Sequence, residues 1–288
     1  MLSISNPFIQ LYYELDIYLN WPAMNTEKLQ SDYRRNGVAF LPDAFDPNTL
    51  NMAEAAWDWS MSHPGPYASL LLENSVIPVK SAEAAREIIT NEPGFFYQDI
   101  SAPNTLEAYR DLITSGPVTN LLKCLFATPD DKEPDVWFLG EQVFLKEGGE
   151  QLRTGWHQDI SDIRAEGLDL AVLWITFDAV DKVGALEMVQ GSHLGPVYSS
   201  IYQNYRAEPI PDIEPHREDF DIVSFACTPG DLVIFHPGVL HGGGATSTGQ
   251  RRRTLALRFF GPDCRVASDS KRASAGQPFR HPRFFKVI

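Results

Sequence analysis

Arg252-Arg253-Thr254-Leu255-Ala256-Leu257-Arg258-Phe259-Phe260 has two unlike faces. In an extended strand side chains alternate, so Arg252, Thr254, Ala256 and Arg258 share one face, while Arg253, Leu255, Leu257 and Phe259 share the other. The large apolar set suits a layer beneath helices. The smaller set suits a barrel interior, which turns Arg252 inward. A buried guanidinium requires an anion, and its planar fork suits a carboxylate, which an acid cosubstrate would supply. Arg251, Arg253 and Arg258 compete for that role, but Arg251 and Arg253 have the wrong parity. Arg258 would lie about 20 Å further along the strand.

Outward from this strand, short β-branched or aromatic segments punctuated by Gly and Pro run over 136–146, 170–178, 185–189, 231–236 and 253–261, and read as strands. Before about residue 135 the pattern is helical. Thr26 to Asn36 stops at Gly37, Pro47 opens a stretch with Leu50, Ala53, Trp57 and Ser60 at helical spacing, and 82–90, 105–113 and Val118 to Phe126 add further helical signal. Helices followed by antiparallel strands predict a mainly β sandwich or barrel with N-terminal helices packed on one outer face. With no repeat and no long linker, the chain is expected to be one domain: a helical part over about 1–135, a β core over about 136–262 and a basic segment over 263–288. The stretch 195–221, with Tyr198, Tyr202, Tyr205 and several prolines, fits neither pattern and reads as a long lid or binding loop.

The 288 residues carry 24 Lys and Arg against 38 Asp and Glu, a net charge of −14. This acidic balance argues against a nucleic-acid partner, which needs clustered cations. No apolar run approaches the roughly 20 residues of a membrane span, and Met1 to Trp21 lacks the pattern of a secretory signal, so a cytoplasmic setting is expected. Cys124, Cys227 and Cys264 form no C-x-x-C motif and read as buried thiols. Residues 251–288 hold ten Lys or Arg and two Asp. That stretch is either neutralised by its own domain or available to an anion.

The chemistry turns on which histidines can meet. In Gly155-Trp156-His157-Gln158-Asp159 the His and Asp are two apart, so on an extended strand both point the same way. A second imidazole would complete a triad of two His and one carboxylate, which binds non-haem iron(II) and leaves positions open. His241 is the best candidate, because it follows the strand Asp231 to Phe235 and precedes Gly242-Gly243-Gly244, where backbone can pass close to a ligand. His193 and His236 read as structural or supporting residues near the site, and His63, His216 and His281 as surface residues.

Several segments in order carry a resemblance: Asn36-Gly37-Val38-Ala39-Phe40-Leu41-Pro42, Trp156-His157-Gln158-Asp159, Trp174-Ile175-Thr176-Phe177-Asp178, Gly184-Ala185-Leu186-Glu187-Met188-Val189-Gln190-Gly191-Ser192-His193, Gly230-Asp231-Leu232-Val233-Ile234-Phe235-His236 and His241-Gly242-Gly243-Gly244, with Arg252 eleven positions after His241. Over roughly residues 30–262 the chain resembles the phytanoyl-CoA dioxygenase family of Fe(II)- and 2-oxoglutarate-dependent oxygenases. The resemblance implies a double-stranded β-helix, a jelly-roll or cupin-like core. It also implies that His157, Asp159 and His241 are iron ligands and that Arg252 holds the distal carboxylate of 2-oxoglutarate, with O2 as oxidant. Gln142 and Trp174 are expected to line the cosubstrate pocket. Relatives often carry Ser two positions after the distal His; this chain has Gly243, so Thr176 or Thr254 would take over that contact.

The implied activity is hydroxylation of an unactivated C–H of a small molecule, with release of succinate and CO2. Desaturation, cyclisation or epoxidation would use the same ligands. A metal-dependent hydrolase or isomerase, or a non-catalytic binding protein on the same barrel, are the alternatives, but they give Arg252 no task. The motifs do not choose the substrate or the oligomeric state. Asp162 and Arg164, the tyrosine-rich stretch and the basic C-terminus are the candidate substrate contacts, and a basic segment folded over the pocket would favour an anionic substrate.

Overall fold

The computed structural model describes residues 26–73, 75–91, 94–100, 106–128, 132–149, 153–199, 208–244, 246–268, 274–280 and 284–288. Tyr202, Tyr205, His281 and the stretch before Thr26 lie outside the described residues. The predicted helices are present as α1 (Thr26–Asn36), α2 (Pro47–Ser62), α3 (Ala82–Asn91), α4 (Leu106–Ile113) and α5 (Gly116–Leu125). α2 shows why such a segment starts where it does. Asp46 accepts a hydrogen bond from the Thr49 backbone at 2.7 Å, and Pro47 at the first turn loses no bond. Gly37 ends α1 in the left-handed region, with φ +72°, and a Cβ there would stand 2.4 Å from the His193 ring.

The N-terminal part is less helical than its sequence suggests. It also supplies β1 (Val38–Leu41), β2 (Ser69–Leu72), β3 (Ser75–Pro78) and β4 (Phe95–Ile100). The remaining elements, in chain order, are β5 (Trp137–Gly149), β6 (Thr154–His157), a one-turn helix α6 (Ile160–Ile163), β7 (Ala165–Glu166), β8 (Leu170–Thr176), β9 (Leu186–Val189), β10 (Ile222–Ser224), β11 (Leu232–Phe235), β12 (His241–Gly243), β13 (Thr246–Phe260), β14 (Arg265–Val266) and β15 (Phe285–Lys286). Among the described residues, nine strands form an antiparallel sheet in the order β1-β11-β8-β13-β5-β4-β2-β3, with β15 on β5, and four form a second sheet, β10-β9-β12-β6. β1 to β4 therefore extend the large sheet at its two ends, β1 against β11 and β4 against β5. Their apolar content is too short in sequence to outweigh the surrounding helical signal.

The alternation read from β13 holds throughout the large sheet. Leu255, Leu257 and Phe259 join Ala171, Leu173, Ile175, Leu232 and Ile234 in a cluster that also takes in Leu29, Tyr33, Ala53, Trp57, Leu112 and Leu122 from the helices. Ala256 instead joins Val172, Trp174, Val233 and Phe235 in a cluster completed by Met188 of the small sheet. The second cluster is the interior of the β-helix, between the two sheets. In the stretch 195–221 the described residues include a 3-10 segment, Glu214–Asp219. Of the cysteines, Cys227 and Cys264 are buried and Cys124 is only half-buried.

The basic C-terminal segment packs back onto the chain. Lys286 Nζ lies 2.6 Å from Asp135, Arg280 sits 5.3 Å from the Trp137 ring centre, and Phe279 and Phe284 pack on Phe260.

Leu255 is fully buried at the junction of sheet and helices. Leu255→Ala is expected to destabilise the fold by about 2–5 kcal/mol, from lost burial and the cavity left behind. Urea unfolding of the two proteins at equal pH measures this; a loss below ~1 kcal/mol would show that the helical layer does not pack on this face.

Candidate active site

β12 lies between β9 and β6, and its register sets His241 directly opposite His157. The glycines after His241 let β12 run close to β6: a Cβ on Gly242 would stand 3.0 Å from the Thr154 carbonyl oxygen. The two imidazole centres are 4.1 Å apart. Their Nδ1 atoms lie 2.9 Å from the Gly155 and Val239 carbonyl oxygens, respectively. Donation from Nδ1 to those carbonyls fixes each ring and leaves Nε2 as the free base atom, the arrangement metal-binding imidazoles use.

Asp159 reaches the same point by a different route from the one its spacing suggests. β6 ends at His157, and Asp159 has helical backbone angles, φ −61° and ψ −32°, at the start of α6. The turn, not a continuing strand, brings the carboxylate round. Asp159 Oδ1 stands 3.6 Å from His157 Nε2 and 4.0 Å from His241 Nε2. Among the described residues, His157, Asp159 and His241 form a group able to hold a metal ion, one ligand atom from each lying within 4.8 Å of the others.

Arg258 takes the other carboxylate oxygen. Its Nε and Nη2 donate to Asp159 Oδ2 at 3.1 and 2.7 Å, and Nη2 also donates to Gln142 Oε1 at 2.6 Å. Burial opposes ionisation of Asp159, but the Arg258 guanidinium, with His241 and His157, outweighs it and holds the carboxyl well below the usual range. The site thus has a charged carboxylate flanked by imidazoles. Burial, reinforced by His157, pulls the His241 pKa down to about 3, so the ring is neutral and able to donate its lone pair.

A second group of residues lies along the interior face of the large sheet. Arg252 is 6% exposed, its Nη1 donates to the Gly184 carbonyl, and its buried Nε has no hydrogen-bond partner among the described residues. Among the described residues no carboxylate pairs with it. Burial lowers its pKa to about 10, and it stays charged at neutral pH. Arg251 and Arg253 face outward and are neutralised, Arg251 by Glu147 at 2.7 Å and Arg253 by Asp178 at 3.0 Å and Glu54 at 2.5 Å.

Directly opposite Arg252 on β5 is Lys146, 2% exposed, which sequence reasoning missed. Its ammonium donates to Thr154 Oγ1 at 2.8 Å and lies 4.1 Å over the Phe96 ring. Burial, then the neighbouring Arg252, depresses its pKa well below the ordinary value. A Cβ on Gly243 would meet Thr154 Oγ1 at 3.2 Å and Lys146 Nζ at 3.4 Å, so these two groups stand where the resemblance expects a serine. Thr176 is committed elsewhere, donating to the Asp178 carbonyl at 2.7 Å. The available signal for Lys146 was its parity with Gln142; the register that pairs it with Arg252 is not written in the sequence.

Trp174 is buried in the interior apolar cluster beside Phe235, whose ring centre is 4.6 Å from that of His241. Gln142 is held by Arg258 near Asp159. His193 and His236 bond to backbone: His193 Nε2 lies 3.0 Å from the Arg34 carbonyl, and His236 Nδ1 accepts from Gly238 N–H at 3.0 Å while Nε2 donates to the Gly167 carbonyl.

Two facing antiparallel sheets with this triad at one end define a double-stranded β-helix protein with a candidate metal centre. Residues 33–254 match the family model described as Phytanoyl-CoA dioxygenase (PhyH), and the chain belongs to that family. The peroxisomal phytanoyl-CoA dioxygenase of Rattus norvegicus is 26% identical over 126 residues, 42% of this chain and 37% of the rat protein. A probable phytanoyl-CoA dioxygenase of Caenorhabditis elegans is 24% identical over 172 residues, 58% of this chain and 51% of that protein. The chain therefore spans between a third and about half the length of these curated relatives. Among solved structures, the non-haem α-ketoglutarate-dependent epimerase SnoN from nogalamycin biosynthesis has a TM-score of 0.63 at 17% identity, over 91% of this chain and 98% of that one. The non-haem α-ketoglutarate-dependent carbocyclase SnoK from the same biosynthesis has a TM-score of 0.61 at 16% identity, over 88% and 93%. These likenesses show the fold.

His236 gives a pH prediction. Burial pulls its pKa down to about 3, the bond to the Gly167 carbonyl opposing, whereas in the unfolded chain it titrates near ~6.5. As pH falls below ~6.5 the unfolded chain takes up a proton that the fold refuses. Stability contributed by neutral His236 is then lost at about 1.4 kcal/mol per pH unit, down towards pH 3. The urea midpoint is expected to fall between pH 6.5 and 4.5, and to fall less in His236→Asn. Equal losses in the two proteins would remove His236 as the cause.

Proposed function

We propose that this chain is a non-haem Fe(II)- and 2-oxoglutarate-dependent dioxygenase acting as one oxygenase domain, and that it hydroxylates an unactivated C–H of a free small molecule. The observation that carries this reading is the pairing of two features in one barrel: His157 Nε2, Asp159 Oδ1 and His241 Nε2 converging on one point, and the buried Arg252 with no carboxylate partner among the described residues. Two imidazoles and one carboxylate are the donor set of non-haem iron(II) sites with open positions, and neither hydrolysis nor simple binding gives Arg252 a task. When bound, iron and 2-oxoglutarate supply activation of O2, with succinate and CO2 released and the substrate oxidised.

The chain's own residues do the rest. His157, Asp159 and His241 hold the metal, the Gly155 and Val239 carbonyls keeping both rings oriented. Arg252 binds the distal carboxylate of 2-oxoglutarate through its planar fork, and the Lys146 ammonium and Thr154 hydroxyl stand beside it. Trp174, Phe235 and Val172 line the barrel interior with apolar surface that excludes water. The neighbouring folds include an epimerase and a carbocyclase, and epimerisation and ring closure are the competing outcomes for the same ligand set. The substrate is read as a small molecule, with no nucleic-acid partner. No helix among the described residues is long and apolar enough to cross a membrane, and a cytoplasmic setting remains part of this reading.

Anaerobic addition of Fe(II) and then 2-oxoglutarate is expected to give the weak visible charge-transfer band of the chelate, and only when both are present. His157→Ala or Asp159→Ala should abolish it with loss of iron binding. Arg252→Ala should weaken 2-oxoglutarate roughly 10- to 150-fold, equivalent to the ~1.5–3 kcal/mol of a hydrogen bond to a charged group, with iron affinity little changed. Tight zinc binding without any effect of 2-oxoglutarate would move the assignment to a hydrolase, an isomerase or a binding protein.

A further inference from the structure

Arg258 lies six residues beyond Arg252 on the same interior face of β13, opposite Gly140 on β5. Between Arg258 and Phe259 the β13-β5 register shifts, Arg258 facing Gly140 and Phe259 facing Phe138, so β5 carries one extra residue there. Such irregularities redirect side chains beside functional sites. Gly140 places no side chain next to the guanidinium, and the space a Cβ would take there is open. Arg258 and Asp159 are almost equally enclosed, with side chains 14% and 15% exposed.

The contacts split the two oxygens of Asp159 into different roles. Oδ2 receives two N–H groups of one guanidinium, at 3.1 and 2.7 Å, while Oδ1 is the oxygen that faces His157 Nε2 and His241 Nε2. Gln142 Oε1, at 2.6 Å from Nη2, fixes the rotation of the guanidinium that makes this possible. Neutralising a buried carboxylate requires only a cation nearby. A fork with two donors on one oxygen and a third contact to a side-chain amide does more, because it defines which oxygen remains for a metal.

We propose that Arg258, oriented by Gln142, is a positioning residue that restricts Asp159 to one metal-facing oxygen. The proposal rests on the reading of His157, Asp159 and His241 as the iron site. A carboxylate can bind a metal through one oxygen or both. Bound through both, Asp159 would take an extra place in the coordination sphere. With Oδ2 held by Arg258, His157, Asp159 and His241 would each give the metal one atom, which would leave positions open for a bidentate oxo-acid and dioxygen. Arg258 thereby sets the number of open positions, a role the sequence does not announce because Arg258 and Asp159 are 99 residues apart.

Cobalt(II) is a suitable probe, because the intensity and position of its visible bands report coordination number without turnover. Titration of the metal-free protein is expected to show one tight site with a weak, six-coordinate-type spectrum. Arg258→Lys keeps the charge but loses the fork, and Gln142→Leu keeps every charge while freeing the guanidinium to rotate. Both should fold, change the cobalt spectrum and weaken binding, Arg258→Lys by about 10- to 100-fold, the range for loss of a residue that orients a metal ligand, and Gln142→Leu by less. A spectrum and affinity equal to the unaltered protein in Gln142→Leu or Arg258→Lys would overturn the proposal while leaving the metal site intact. If the unaltered chain bound no cobalt, the reading of the triad itself would fall, and the proposal with it.

Discussion

A carboxylate removed from water at Asp159 is the constraint around which this barrel is arranged. Left alone, burial would protonate it, and a protonated acid is a poor metal ligand. Arg258 supplies the opposing charge at 2.7 Å, and the imidazoles of His157 and His241 complete the group. Val172, Trp174, Phe235 and Ala256 make the interior apolar, so a carboxylate placed there is costly unless a cation meets it. Fixing the partners in turn fixes the strands that carry them: β13 for Arg258, β5 for Gln142, β6 with its following turn for Asp159, and β12 for His241.

The two faces of β13 connect this chemistry to stability. One face buries Leu255, Leu257 and Phe259 among residues of the helices, and the other presents Arg252, Thr254, Ala256 and Arg258 to the interior. Because side chains alternate, a slip of one residue in the register with β5 or β8 would drive the arginines into the apolar layer and the leucines into the site. The energetic penalty for that exchange is large on both faces. The same contacts that hold the fold together therefore hold the site in register.

Much of this was legible in the chain. Alternation gave the two faces of β13 and the inward direction of Arg252, the glycines marked the close approach after His241, and helix periodicity located α1 to α5. What escaped was whatever depends on pairing between distant segments. β1 to β4 are four to six residues each, too short to carry a periodic signal, and they become strands because β11 presents an edge to β1, β5 to β4, β4 to β2 and β2 to β3. Asp159 was expected on a straight strand and sits instead on a turn, since two residues of spacing fit either geometry. By strand spacing Arg258 stands too far from Arg252 to share the carboxylate that Arg252 awaits. That separation along the strand says nothing of a second anion, and Asp159, on the turn that follows β6, meets it. Lys146 is hidden in the sequence for the same reason: only register places it opposite Arg252.

The three consecutive arginines sharpen the case for an anionic ligand. Arg251 and Arg253 lie on the outward side and each has a carboxylate of the chain within 3.0 Å. Arg252, between them, is the most enclosed of the three and meets a backbone carbonyl instead. In a chain with 38 acidic residues, matching a third arginine would have been easy. Burial without a charge partner destabilises the fold unless another interaction returns the difference. The Nε group, unsatisfied among the described residues, and the neighbouring Lys146 ammonium both raise that penalty. A ligand carboxylate offers two acceptor oxygens and a full negative charge in one group, which answers all three needs at once. The same reasoning explains why the cation is Arg. Its charge survives burial, whereas the depressed pKa of Lys146 shows what the same interior does to an ammonium.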